Sequence, residues 1–117
     1  MSTPSVEHIT TRALSTALDA AGMRHRVIAS NIANASTPGY APQRVSFEAE
    51  LSAAAHGGPV LTARMEPAPM SAGLTAGVQL DVEVAALAQN TMHQQLLMKA
   101  LQRHMAMLAT AVTEGKR

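Results

Sequence analysis

The side chains in this sequence with chemistry to offer are five histidines (His8, His25, His56, His93 and His104) and a polar corner, in which Asn31 and Asn34 precede Thr37-Pro38-Gly39-Tyr40. A metal centre needs imidazoles and carboxylates converging on one point. The histidines form no i, i+4 pair, and no pair of them has carboxylates at chelating spacing. His25 and His104 each fall in an apolar stripe, where an imidazole packs and hydrogen-bonds to a neighbour. No serine stands in a nucleophile-elbow pattern and no glycine loop is built to cradle phosphate. There are no cysteines, which excludes disulfides and thiolate metal sites. These residues predict no catalytic site, no cofactor and no metal: the chain does not read as an enzyme.

The corner has two readings. Asn34 can end a helix in the left-handed region, with Pro38 blocking continuation. Thr37-Pro38-Gly39-Tyr40 then reads as a type II turn, proline at i+1 and glycine at i+2. Capping leaves Asn31 unexplained, one turn earlier on the same face, beside Ile28 and Ile32. Its amide has donors and an acceptor with which to fix the register of a neighbouring helix or backbone, and an adjacent chain is the expected holder. A single asparagine in an apolar seam trades stability for specificity.

The elements around the corner must position it. At 117 residues the chain fits one small domain. Its hydrophobic fraction is 47%, yet 23 residues are alanine, eight are methionine, and Tyr40 and Phe47 are the only aromatics. Such side chains suit close helix contact better than a thick core. A net charge of +1 with 15% charged residues gives no footprint for nucleic acid. The N-terminus lacks an uninterrupted apolar h-region, so no cleaved secretory signal is expected. No apolar run is long enough for a transmembrane helix.

A first helix is predicted from about Pro4 to Ala33, with Thr3 as N-cap, Pro4 at the first position and Glu7 near the positive dipole end. Leu14, Leu18, Ala21, His25, Ile28 and Ile32 make a heptad-like seam flanked by Ala17 and Ala20. Gly22 weakens that helix by roughly 1 kcal/mol relative to alanine. A last helix is predicted from about Asp81 to Glu114, with Asp81 as N-cap, Glu83 in the first turn, and Gly115 and Lys116-Arg117 as the stop. It carries two seams: Leu97, Leu101, His104 and Leu108 on one, and Val84, Ala88, Gln95, Met98, Met105, Ala109 and Val112 on the adjoining face. Two seams require two neighbours. Residues 41–80 hold most of the glycine and proline and read as irregular, with a helix or strand anchored by Phe47 and Leu51 and a short strand over 59–63. The expected fold is mainly α: terminal helices pairing as a coiled-coil-like hairpin, around divisions at 1–40, 41–80 and 81–117 that form one structural domain.

The run from Asn31 to Tyr40, after Ala13–Ala20 and the basic Arg24-His25-Arg26, resembles the N-terminal signature of the flagellar basal-body rod family. Phe47-Glu48-Ala49-Glu50-Leu51 resembles that family's phenylalanine-centred segment, and Val78–Asn90 is similar to the approach to the last helix in its proximal members. The resemblance covers both ends, roughly two-thirds of the chain. It implies a structural subunit of the bacterial flagellar rod, exported through the flagellar type III apparatus without a cleaved signal peptide. It further implies polymerisation through the terminal helices into a hollow shaft. The implied partners are other rod subunits, copies of itself, and the membrane-ring and export-gate components of the flagellar base; no nucleic acid is expected. The assembly interface is expected at Leu14, Leu18, Ala21, Ile28, Asn31, Ile32, Asn34, Thr37, Pro38, Gly39, Tyr40, Leu97, Leu101, Met105, Leu108 and Val112. The alternative is a soluble helical-hairpin adaptor or secretion chaperone, which would be folded and cooperative alone, whereas a rod subunit would be partly disordered until it meets neighbours.

Overall fold

A computed structural model describes residues 6–48, 64–67 and 78–115 of the chain. Helix α1 spans Val6–Ala33 and helix α2 spans Leu80–Glu114. Between them strand β1 (Gln43–Ser46) pairs antiparallel with strand β2 (Arg64–Pro67). The molecule is long and thin, 64 × 28 × 18 Å, because two long helices lie side by side. The expected hairpin of terminal helices is what forms.

Helix α1 turns its small residues inward. Ala17, Ala20, Ala21, Val27 and Ile28 are buried, and Leu14, Leu18, His25 and Ile32 are half-buried on the same side. Among the described residues the buried apolar core is therefore mostly alanine and valine, with Ile28 and Phe47 as its larger members. Leu97 of α2 packs against the cluster of Ala17, Ala20 and Phe47. Alanine on the contact face brings helices close and makes the core thin. Thr10 and Thr11 bond back to the carbonyls four residues earlier at 2.9 Å, which lets β-branched polar residues ride on the helix surface. The expected start at Pro4 and the Thr3 cap lie outside the described residues.

The chain leaves α1 through Thr37–Tyr40. Tyr40 N–H donates to the Thr37 carbonyl at 3.2 Å, and Gly39 has φ 76°, as a type II turn requires at that position. Gly39 is left-handed as the turn requires, but Asn34 is not, since no non-glycine residue among those described has positive φ. Asn34 stays helix-like because its N–H continues the ladder to the Ser30 carbonyl at 3.0 Å.

In the small sheet Arg44 stands opposite Glu66, and its Nε donates to the carboxylate at 2.7 Å. The segment expected to be helix or strand around Phe47 is strand up to Ser46. The strand expected over 59–63 falls outside the described residues, and the strand that pairs with β1 is Arg64–Pro67.

Helix α2 begins one residue earlier than expected. Gln79 occupies the cap position with extended backbone and no side-chain cap bond, and its carbonyl accepts Glu83 N–H at 2.9 Å. Asp81 is therefore not the N-cap. It lies with Glu83 in the first turn, where both carboxylates still face the positive dipole end. At the other end Gly115 is the C-cap, in right-handed conformation; Lys116 and Arg117 lie outside the described residues.

The two faces of α2 separate cleanly. Glu83, Leu87, Asn90, Gln94, Leu97, Leu101, His104 and Leu108, at alternating steps of four and three, are all buried or half-buried. Val84, Ala88, Thr91, Gln95, Met98, Gln102, Met105, Ala109 and Val112 keep the same alternation one residue on, and all are exposed. A 3.5-residue repeat carried twice on one helix, with only one copy covered, is the architecture's central fact.

Candidate functional site

The corner that ends α1 is a closed polar network centred on Asn31, which is 1% exposed. Its Nδ2 donates to the Gln43 carbonyl at 2.8 Å and to Glu83 Oε2 at 3.3 Å. Its Oδ1 accepts from Gln43 N–H at 3.1 Å and from the Tyr40 hydroxyl at 3.0 Å. Both donors and both acceptor sites of the amide are thereby used. Asn31 reads both polar groups of one peptide residue, as a strand partner would, and so fixes where β1 begins. Its third element is α2, reached through Glu83. Asn31 thus does fix a neighbouring backbone and a neighbouring helix, but both belong to its own chain, and no group of the amide is left for an adjacent one.

Around it, Asn34 Nδ2 donates to the Ser30 carbonyl at 2.9 Å, and Thr37 Oγ1 donates to Asn34 Oδ1 at 3.1 Å. Ser30 Oγ and the Tyr40 hydroxyl lie 3.3 Å apart. Asn34 therefore braces the last turn of α1 against the type II turn. The only tyrosine stands where it does because its hydroxyl must span from the turn back to the helix.

About two turns before Asn31, Arg24 clamps the far end of β1. Its guanidinium donates to the Val45 carbonyl at 2.9 Å and to Glu48 Oε1 at 2.6 Å, and its Cζ sits 5.1 Å from the Phe47 ring centroid. Partial burial pushes the Glu48 carboxyl up, but the Arg24 hydrogen bond and charge, with the N–H groups of Phe47 and Glu48, outweigh it. The net result is a pKa below the ordinary carboxylate value. Between α1, β1 and the first turn of α2 lies an open cleft of about 400 Å³. Each of its charged side chains already has a partner: Arg24 with Glu48, Arg44 with Glu66, and Glu83 with Asn31. The charged side chains of the cleft are thus already engaged in hydrogen bonds or ion pairs.

Two further contacts tie α2 to α1. Asn90 Nδ2 donates to the Ala21 carbonyl at 2.9 Å, and His104 Nε2 lies 3.2 Å from the Glu7 carbonyl. Together with Asn31–Glu83 they mark the antiparallel register at three heights. His104 has the neighbour expected of it. His25 does not have one at Nδ1, which is buried without a hydrogen-bond partner. Among the described residues no group of three metal-binding side chains converges, and no helix is long and apolar enough to cross a membrane.

The residues expected at an assembly interface fall into three places. Leu14, Leu18, Ala21, Ile28, Ile32, Leu97, Leu101 and Leu108 are buried or half-buried on the inward faces of the two helices. Asn31, Asn34, Thr37, Pro38, Gly39 and Tyr40 form the corner. Met105 and Val112 are exposed, 51% and 60%, on the open seam of α2. Sequence reasoning missed Gln43, Glu83, Asn90 and Arg24 as members of the network. Asn90 had a signal, its place in the inner seam's heptad spacing; the others act across long sequence separation, which periodicity cannot report.

The geometry is that of a scaffold with one uncovered helix face. A family model described as "Flagella basal body rod protein" matches residues 12–40, from α1 through the last residue of the turn. The flagellar basal body rod protein FlgB of Cereibacter sphaeroides is 33% identical, over 76% of this chain and 82% of its own length. The chain belongs to the flagellar basal-body rod family. The stretch matched by the family model holds Arg24, Ser30, Asn31, Asn34, Thr37 and Tyr40 of the polar network, while Gln43 and Glu83 lie outside it. The rod family is one of structural proteins, and a structural role in the rod follows for this member.

Proposed function

We propose that this chain is a subunit of the proximal rod, built into the wall of the hollow shaft above the export gate and membrane ring through the outer seam of α2. The observation that carries the reading is that seam: nine exposed positions in unbroken heptad alternation, none of them charged. Large apolar side chains on it, Val84, Met98, Met105 and Val112, are 46–60% exposed. A helix apolar on two faces needs cover on both, and the described residues cover one. In this reading the corner's task is geometric: it fixes the angle at which β1 and the turn leave the helix pair, so that each subunit offers its neighbour the same shape. Partners are other rod subunits and copies of the chain. Export runs through the flagellar type III apparatus on information carried near the first helix.

The test is complementation of a strain lacking the chain. The full-length protein should restore swimming and appear in purified basal bodies. A chain ending at Ala100 keeps α1 and the corner but loses Leu101, Met105, Leu108 and Val112; it should still be exported, fail to join a rod and leave the cells non-motile. Normal swimming of the truncate overturns the assignment of assembly to the last helix. Swimming of the strain with no copy at all overturns the rod reading itself.

A further inference from the structure

The exposed seam of α2 reads nearly the same in both directions. Taken in order outward from Met98 along the seam, Val84 answers Val112, Ala88 answers Ala109 and Gln95 answers Gln102, the last two pairs one residue out of exact register; Thr91 and Met105 are the one unlike pair. A sequence pattern with this symmetry is complementary to its own reverse. We infer that two copies of the chain pair in solution through this seam, antiparallel about a two-fold axis at Met98. The inference goes beyond the proposed rod role and does not depend on it.

Three observations support an occupant of that kind. First, all nine positions are exposed in the single chain, so the seam is open. Second, none carries a charge, so reversing the partner brings no like charges together within the seam. Third, its only strongly polar side chains, Gln95 and Gln102, sit one turn either side of the centre. A two-fold places each against the other's counterpart, where a carboxamide offers both donor and acceptor to its mate. Isologous contacts of this kind close at two copies, whereas a contact that builds a shaft must leave a free surface at each step. The pair is therefore a different object from a rod, and it occupies the face proposed above for rod neighbours.

The size of the seam sets its strength. From Val84 to Val112 at about 1.5 Å per residue it runs about 42 Å, and a helix is about 10–12 Å across. A ribbon of that kind hides roughly 450 Å² on each copy, below the roughly 800 Å² per partner of a standard stable interface. The pair is accordingly weak and reversible, a form that shields the seam at high concentration and opens when a stronger partner arrives. Lys99 flanks the centre, and the two-fold brings the two lysines toward one another, so added salt should tighten the pair.

The absence of cysteine makes the geometry directly testable in the full chain. Single variants Val84→Cys and Val112→Cys, both at exposed positions, are oxidised gently, alone and mixed. The expected result is a disulfide-linked dimer in the mixture and little in either alone, with Met98→Cys alone cross-linking efficiently. Sedimentation of the unmodified chain should show reversible dimerisation that strengthens with salt. Efficient cross-linking of Val84→Cys to itself would show a parallel pair and overturn the inference. So would a chain that sediments as a monomer at every concentration, and that result leaves the rod reading untouched.

Discussion

Asn90 donates its side-chain amide to the main-chain carbonyl of Ala21 at 2.9 Å, inside the contact between the two long helices, while its own Oδ1 finds no hydrogen-bond partner. Asn31, by contrast, has all four of its sites filled. Two buried asparagines in one helix pair thus stand on opposite sides of the same energetic rule: a hydrogen bond made is worth little, and one left unmade is expensive. Asn90→Leu removes the orphaned oxygen along with the bond and should change stability by no more than about 1 kcal/mol in either direction. Urea unfolding of the two proteins at matched concentration checks this; a loss several-fold larger would show that Asn90 is fully satisfied in solution.

Asn31→Leu should behave differently. It strips partners from the Gln43 N–H and carbonyl and from the Tyr40 hydroxyl in a buried corner, a cost of about 2–4 kcal/mol. Asn31→Asp keeps the acceptors but loses the donors, and puts a carboxylate oxygen where Nδ2 now stands, 3.3 Å from Glu83 Oε2. Its defect should be worst at neutral pH and ease on acidification as the new carboxyl protonates. Equal stability of both variants and the parent by urea melt would contradict the network.

Two glycines should respond in opposite senses. At Gly39 a Cβ meets nothing within 4 Å, but φ is +76°, so Gly39→Ala costs about 1–2 kcal/mol through the backbone alone. At Gly22 a Cβ would make only ordinary contacts, 3.8 Å to Gln94 Nε2 and 3.9 Å to an Arg26 guanidinium nitrogen. Gly22→Ala should therefore raise helix stability by up to about 1 kcal/mol. Thermal melts of the pair, read by circular dichroism, decide both.

The Arg24–Glu48 pair gives a modest acid sensitivity. The folded pKa of Glu48 lies below its ordinary value, so its contribution is present above that value. It is lost as pH falls from the ordinary glutamate range through the lowered folded pKa. Because the Glu48 side chain is 63% exposed, the effect is small and screened by salt. Glu48→Gln should flatten that part of the stability–pH curve, measured at low ionic strength.

Much of this was legible in the residues. The two helices, the inner seam and the open second face of α2 follow from alternating steps of four and three, a period any amphipathic helix must obey. The Thr37–Tyr40 turn follows from proline and glycine at their required places. The site was less legible. Asn31 was visible as an anomaly, but its partners were not, since Gln43 is reached only after a turn and Glu83 only after α2 folds back. The N-cap at Gln79 also escaped, because glutamine carries no capping chemistry and the boundary is set by extended backbone before Leu80. Periodicity reports faces; it does not report which strand or helix comes to lie against them.

If the outer seam of α2 joins the chain to its neighbours while the inner seam holds the chain together, charge on the outer seam alone must block assembly without melting the helices. Met98→Glu combined with Met105→Glu places charge on the outer seam alone, at side chains 46% and 51% exposed. The measurement is the amount of this variant in purified basal bodies, beside swimming, in a strain lacking the parent chain. The helical circular dichroism of the free variant is compared with that of the parent at a concentration too low for pairing. Matching helicity, no incorporation and no swimming are expected. Normal incorporation and normal swimming would show that the outer seam holds no neighbour.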